Sequence, residues 1–524
     1  MNRSCDPNHS RPLDVHRYCD YPEARVLVDY LWSMFTEHYP EHLSVQRGRK
    51  TQGKIKEQFR VLILDLYVSW LEDPDQYLGV HLGKNAYKSN SRYNSLFISF
   101  KLVGLIHQCH AMDWLDWVTF SYGGSKRQKN RTTRIRASDH LIELFKSHCL
   151  SLDQFSFLPD RECILLTNND PHPDDVVVRS LGRFLIDYVD TEQTKLMRDE
   201  LMAYNHLLSK THIDIASLDE PIVTRLITKG PYAGQMQRIR IGQHNKFVRR
   251  VFSRGQWDLH GRFYGGFWQQ ISEDLRKDIF INGEPTVEID FKALHVSLLY
   301  AIKLHEVWPY SKDPFALQRL VDFAPDASTQ RKWVKLLVLQ CLNASNRKAA
   351  FAAFRNESDT GSLAKRLTNE QLAILLDVFV NEHPRLEEFL LADVGVELMN
   401  YDSRLMAHII RQCTKQNIPI LTIHDSCLCR RSDFAEVRTI MTIASIREVG
   451  YDLFVEQDGI EVDHMEGYGH VLNERAIHKL PKVVPTESYQ HRLDRWLILN
   501  EYELKRTTRG RGLMSTPVPR LGVS

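Results

Sequence analysis

The segment that most restricts how this chain can fold is residues 420–429, an apolar run interrupted by His424, Asp425 and Ser426 and then resumed by Cys427, Leu428 and Cys429. Short apolar runs of this kind read as buried strands. Two of them joined by three polar residues read as a hairpin whose tip carries His424 and Asp425 against a core. Burying those groups costs free energy unless they find partners. The fold must therefore bring other polar side chains to that tip.

Two further segments are candidates to supply them. In residues 286–291 the alternation places Val287, Ile289 and Phe291 on one face of a strand and Glu288 and Asp290 on the other. A helical pattern follows from Ala293 to Leu299. Further on, Arg331 and Lys335 fall on one face of a helix that is otherwise apolar through Leu336, Leu337, Val338 and Leu339. Like charges at that spacing destabilise a helix by a few tenths of a kcal/mol. The pair should project from a mostly buried element into a cleft, with something anionic beside it.

Each piece has a structural reading: a strand-end cap for Asp290, a satisfied turn for Asp425, a solvated cationic face for Arg331 and Lys335. Together they match the needs of two-metal phosphoryl transfer. That chemistry uses carboxylates from separate strands to hold cations about 4 Å apart, and fixed positive groups on the triphosphate. Mg2+ suits such a site, since it takes one or two carboxylates plus substrate oxygens.

The ordered set Asp290-Phe291-x-x-Leu294, Arg331-x-x-x-Lys335 and His424-Asp425 resembles motifs A, B and C of the family A DNA polymerases and their relatives, the phage-type single-subunit RNA polymerases. The resemblance spans roughly residues 255–470, and residues 259–264 are similar to the Gly-Arg segment that approaches template and primer in that superfamily. It implies a right-hand polymerase palm, an antiparallel sheet with helical fingers. It also implies two Mg2+ ions on Asp290 and Asp425, Arg331 on the triphosphate, and Lys335 neutralising and protonating the leaving pyrophosphate. His424 would support the primer end and Arg262 would contact the nucleic-acid backbone. The partners implied are a DNA template and primer and nucleoside triphosphates.

The sequence departs from the pattern at nucleotide-facing positions. Asn343 stands where a fingers tyrosine is usual, with Ala344 in place of glycine, and His295 replaces the glutamate that excludes a 2′-hydroxyl. Motif C ends in Ser426, as in the RNA polymerases. Acidic exonuclease motifs are missing upstream. The expectation is a DNA polymerase without proofreading. The alternatives are a primase or RNA polymerase on the same fold, or a DNA-binding replication initiator or regulator with an inactive polymerase fold.

A chain of 524 residues suggests two to four domains. We expect an α+β multidomain protein: residues 1–52 a flexible basic arm with one helix at 24–37, and 53–150 a winged-helix-like DNA-binding domain. A helical, thumb-like connection follows over 151–250, palm and fingers over 251–475, and a mobile basic tail over 476–524. The winged-helix resemblance rests on a helix at 55–71, a second helix starting at Ser91, and a hairpin at 117–137 whose tip carries Lys126, Arg127, Lys129 and Arg131 without an acidic residue. Residues 176–215 read as amphipathic helix. Arg238, Arg240, Lys246, Arg249, Arg250 and Arg254 should line a channel for the phosphate backbone, giving salt-sensitive binding. The N-terminus has no signal-like apolar region and no run reaches the ~20 residues of a membrane span, so a cytoplasmic protein without membrane partners is expected. Nine cysteines without a CxxC pair suggest free thiols.

Overall fold

The computed structural model describes residues 6, 9–43, 51–84, 87, 91–118, 132–158, 160–169, 178–180, 183–228, 233–308, 313–457, 462–464, 470–472 and 483–510. It is a mixed α+β protein with several sheets and two large hydrophobic cores. No helix among the described residues is long and apolar enough to cross a membrane.

The N-terminal core is wrapped by helices Pro22–His38, Thr51–Glu72, Lys101–Ala111 and Asp139–Lys146. Their apolar faces bury Leu27, Leu31, Phe35, Leu62, Ile63, Leu66, Leu105, Ile106 and Leu141 against one sheet. That sheet runs in the order Ser10–Pro12, Tyr77–Val80, Thr133–Ala137, Leu115–Val118. The two strands pair antiparallel, the first beginning at Leu115, two residues ahead of the expected Trp117, while residues 119–131, with Lys126, Arg127, Lys129 and Arg131, lie outside the described residues.

The second core surrounds two sheets. One has the order His260–Gly265, Val248–Phe252, Ile164–Asn168, Arg183–Leu185, Val178–Ser180. The other is antiparallel in every pairing, with the order Ile213–Ile215, Ile279–Ile281, Glu284–Phe291, Ser426–Arg430, Leu421–Ile423, and Val455–Gln457 also pairs with Glu284–Phe291. Helix Gly395–Lys415 turns Leu398, Leu405, Met406, Ile409 and Cys413 into this core. Helix Glu192–Ser209 joins it through the Tyr204 hydroxyl, which donates to the Ile420 carbonyl at 2.7 Å.

Five expectations are corrected. Residues 9–43 are not a loose arm: Cys19, Leu27, Leu31 and Phe35 belong to the core, and Arg11 forms a two-pronged pair with buried Asp65. The helix expected from Ser91 begins only at Lys101. Ser91 instead donates to Asp187, and the Asn94 side chain bonds both backbone groups of Ile98, a local closure that competes with helix. Residues 183–185 are strand, because Phe184 and Leu185 pair with Asn168 and Thr167, and the helix starts after the Thr191 cap. Region 151–250 is thus mixed rather than helical. Part of the expected tail docks through helix Glu487–Gly510, with Tyr489 buried and Arg492 bonding Asp214 at 2.7 Å, while residues 511–524 lie outside the described residues.

The expected basic channel is also corrected at particular residues. Strand Val248–Phe252 alternates inward and outward, and the inward set includes Arg250. Arg250 donates to the Gly261 carbonyl at 2.9 Å and to Ser403 Oγ at 3.1 Å. Lys246 is buried and donates to Thr211, Ser209 and Gln243. Arg254 pairs with Asp393 and Arg238 with Asp73.

Candidate active site

The hairpin of the sequence forms as read, with strands Leu421–Ile423 and Ser426–Arg430 closed by the pair Ile423–Ser426. His424 and Asp425 are the whole turn. His424 takes φ 55°, a left-handed conformation that costs a non-glycine residue about 1 kcal/mol or more. Such strain persists only where the surroundings impose it. Here Ser426–Arg430 is held between Glu284–Phe291 and the edge strand Leu421–Ile423, whose Thr422 carbonyl accepts from Trp268 Nε1 at 3.1 Å.

Strand register does the next step. Asp290 pairs with Ser426, so its carboxyl stands beside the hairpin tip. Burial raises its pKa well above the usual carboxylate range, Asp425 and Glu288 add repulsion, and Lys335 acts in the opposite direction. Asp290 Oδ1 is buried without a hydrogen-bond partner. Glu288, on the same strand face, is already engaged: Arg276 Nε bonds it at 3.1 Å and Ser426 Oγ donates to it at 2.6 Å. Asp290 and Asp425 are therefore the open pair. A buried orphan carboxylate oxygen beside a second carboxylate is oxygen-donor chemistry that fits a hard divalent cation. Among the described residues no group of three or more His, Cys, Asp or Glu forms a larger ligand set.

Helix Ala327–Leu342 buries Trp333, Val334, Leu337 and Val338 and leaves Lys335 exposed. Arg331, one turn earlier, is ion-paired with Asp313. The anion expected beside the pair is thus partly supplied by the chain itself. Asn343 lies apart, about 12 Å along the helix from Lys335. Its amide donates to the Leu339 carbonyl at 2.8 Å and packs so closely on Gly395 that a Cβ there would meet Asn343 Oδ1 at 2.3 Å. It has a packing role at the helix end, and the structure does not bring it to the carboxylates.

Behind the hairpin, strand His260–Gly265 carries Arg262 inward. Its guanidinium bonds Asp402 through Nε and donates to His295 Nε2 at 3.1 Å. In this structure Arg262 is engaged internally and only 14% exposed. Receiving that bond puts the His295 proton on Nδ1, which has no partner. Burial, Arg262 and His424 lower the His295 pKa to about 3, so the ring stays neutral. Burial and Asp425 raise Asp402 to about 7 against the pull of Arg262. His424 is exposed at the tip and faces the Tyr264 ring edge-on at 5.9 Å.

Gly261 makes this packing possible. At φ +83° it allows helix Gly395–Lys415 to approach so closely that an added Cβ would lie 2.8 Å from Ser403 Oγ and 2.8 Å from Phe252. The structure thus gathers Asp290, Asp425, Lys335, His295, His424 and Arg262. Sequence reasoning missed Asp402, Arg276 and Asp313. Asp402 had a signal: it sits four residues after Leu398 and four before Met406, a carboxylate on a buried helical stripe. Arg276 and Asp313 had none.

No protein-family model matches this chain, and no curated protein matches it either.

Proposed function

We propose that this chain is a template-directed nucleotidyltransferase, with a DNA polymerase lacking proofreading as the leading form. The observation that carries the reading is the meeting of Asp290, Asp425 and Lys335 from three distant stretches of chain, with Asp290 left partly unpartnered. Asp290 and Asp425 would hold divalent cations, Mg2+ by the preference of that ion for oxygen donors. Cations held by these two carboxylates would supply positive charge to the triphosphate oxygens.

The chain's own residues do the rest. Lys335 is exposed beside Asp290 and can reach the outer phosphates, neutralise them and donate a proton to the leaving pyrophosphate. Arg331 exchanges Asp313 for the triphosphate, a bidentate acceptor of the same charge sign. His424 stands at the tip, next to the position of a primer end. The Arg262, Asp402 and His295 network fixes the floor under both carboxylates. In the N-terminal module, the order helix Thr51–Glu72, strand Tyr77–Val80, helix Lys101–Ala111 and hairpin supports a winged-helix reading and DNA as partner.

A second reading, a primase or RNA polymerase on the same palm and fingers, draws on His295. It is buried and neutral at the position where the resemblance expects a 2′-hydroxyl-excluding glutamate. Extension of a labelled primer on a DNA template with Mg2+, offering dNTPs and NTPs separately, distinguishes them. Products from dNTPs that Asp290→Asn and Asp425→Asn abolish support the leading form. Products only from NTPs move the assignment to the second. Tight DNA binding without any product would leave an inactive-fold initiator or regulator and overturn both.

A further inference from the structure

Between the N-terminal core and the five-stranded sheet lies a cavity of about 410 Å3, inside the roughly 300–1,000 Å3 range of small-molecule sites. Part of its lining is apolar, from Ile98, Leu102, Leu165 and Leu185, with the half-buried ring of Tyr87 beside it. The rest is basic. Arg249 reaches it because the alternation that turns Val248, Arg250 and Phe252 into the core turns Arg249 to the other face. Arg161 also lines it, its guanidinium held over the rings of Phe157 and Phe247 at 4.6 and 4.7 Å.

These two arginines have no carboxylate to themselves. Among the described residues, neither guanidinium has a hydrogen bond or ion pair to a side chain. Glu162 is the one carboxylate among the described lining residues, and it is fully used. Arg92 and Arg198 bond it from the side, and the backbone N–H groups of Cys163 and Ile164 donate to Oε1. Arg11, also in the lining, is committed to Asp65. Asp14 is a counter-charge that acts on both arginines, and it is shared with Arg17. His16 lines the same cavity with Nδ1 buried and unpartnered. Burial lowers Arg161 to about 10 despite Asp14, and burial and the Arg161 charge lower His16 to about 3. An anion placed here would relieve each of these costs.

We propose that this cavity binds a phosphate-bearing nucleotide, with the phosphate on Arg161 and Arg249 and the base against the apolar wall. Arginine's planar fork suits phosphate oxygens in pairs. Inorganic phosphate alone would leave most of the volume and the apolar wall unfilled. The nucleotide is either a free mononucleotide or one unit of a nucleic-acid strand, since both present the same chemistry. The inference does not depend on the polymerase reading, because none of these residues belongs to the candidate active site.

The test is equilibrium binding to the full chain carrying Asp290→Asn and Asp425→Asn, without divalent metal. The probes are AMP, a 5′-phosphorylated oligonucleotide and its 5′-hydroxyl counterpart. One saturable site is expected, weakened about tenfold or more by Arg161→Gln and by Arg249→Gln, as loss of a charged hydrogen bond requires. Both variants should unfold at the same urea concentration as the parent or higher, because each removes a poorly compensated cation. If Arg161→Gln disturbs its stacked neighbours, Arg249→Gln carries the test alone. Saturable AMP binding assigns a free nucleotide, and binding of oligonucleotides only assigns a strand unit. Affinities unchanged by Arg249→Gln, or no saturable binding of any probe to the parent, overturn the proposal.

Discussion

Asp402 offers a test in which two opposing forces predict different pH profiles. Its carboxyl is 1% exposed, Arg262 bonds only Oδ2, and Oδ1 has no partner. Arg262 is shared with His295, so its charge compensates the carboxylate only in part. Burial and Asp425 prevail and raise the pKa from 3.8 to about 7. The folded state therefore holds this proton more tightly than the unfolded chain does. Stability from this group is complete below pH 4 and is lost as pH rises toward 7. At about 1.36 kcal/mol per pH unit, the interval corresponds to about 4 kcal/mol. The perturbation is Asp402→Asn, which cannot titrate, and the assay is urea unfolding of both proteins from pH 4 to 8. The stability of the variant minus that of the parent should rise by about 4 kcal/mol between pH 4 and 7 and level off above. A difference that stays flat from pH 4 to 7 would mean that Arg262 keeps Asp402 ionised and that the reasoning from burial fails.

Four further outcomes are expected. Asp290→Asn should abolish primer extension while raising stability by about 0.5–2 kcal/mol, the usual trade between a functional site and the fold; a loss of stability in urea would show that the carboxylate is a structural cap. Gly261→Ala should cost about 2–5 kcal/mol, from the left-handed φ and the overlap with Ser403 and Phe252, and a cost under about 1 kcal/mol in urea unfolding would refute the close approach. Asp313→Asn should free Arg331 and lower the KM for nucleoside triphosphate about two- to fivefold, given the modest strength of a half-exposed pair; a raised KM in steady-state extension would mean that Asp313 positions Arg331 rather than competing for it. Lys246→Gln should leave the slope of log affinity against log salt for DNA unchanged, whereas a backbone contact would reduce it by about one.

Legibility was uneven, for reasons that individual residues make clear. Apolar helices whose periodicity matched their burial were readable, as at 24–37 and 55–71. A local competitor misled where side chains bonded the backbone, as Asn94 does at Ile98. Basic residues were the least readable class. Arg249 and Arg250 are adjacent and chemically identical, yet strand alternation sends one to a cavity and the other into the core.

By itself the sequence determined the hairpin at 420–429, the alternation that turns Glu288 and Asp290 to one face, and the helix carrying Arg331 and Lys335. Each follows from a period of two or of 3.6 in apolar residues, which is local information. Only the tertiary structure decided that Asp290 pairs with Ser426, that Arg276 takes Glu288 while Asp290 stays open, and that Arg262 faces Asp402. Those outcomes depend on strand register and on which side chains reach a buried charge first, and neither is encoded in the spacing of any single segment.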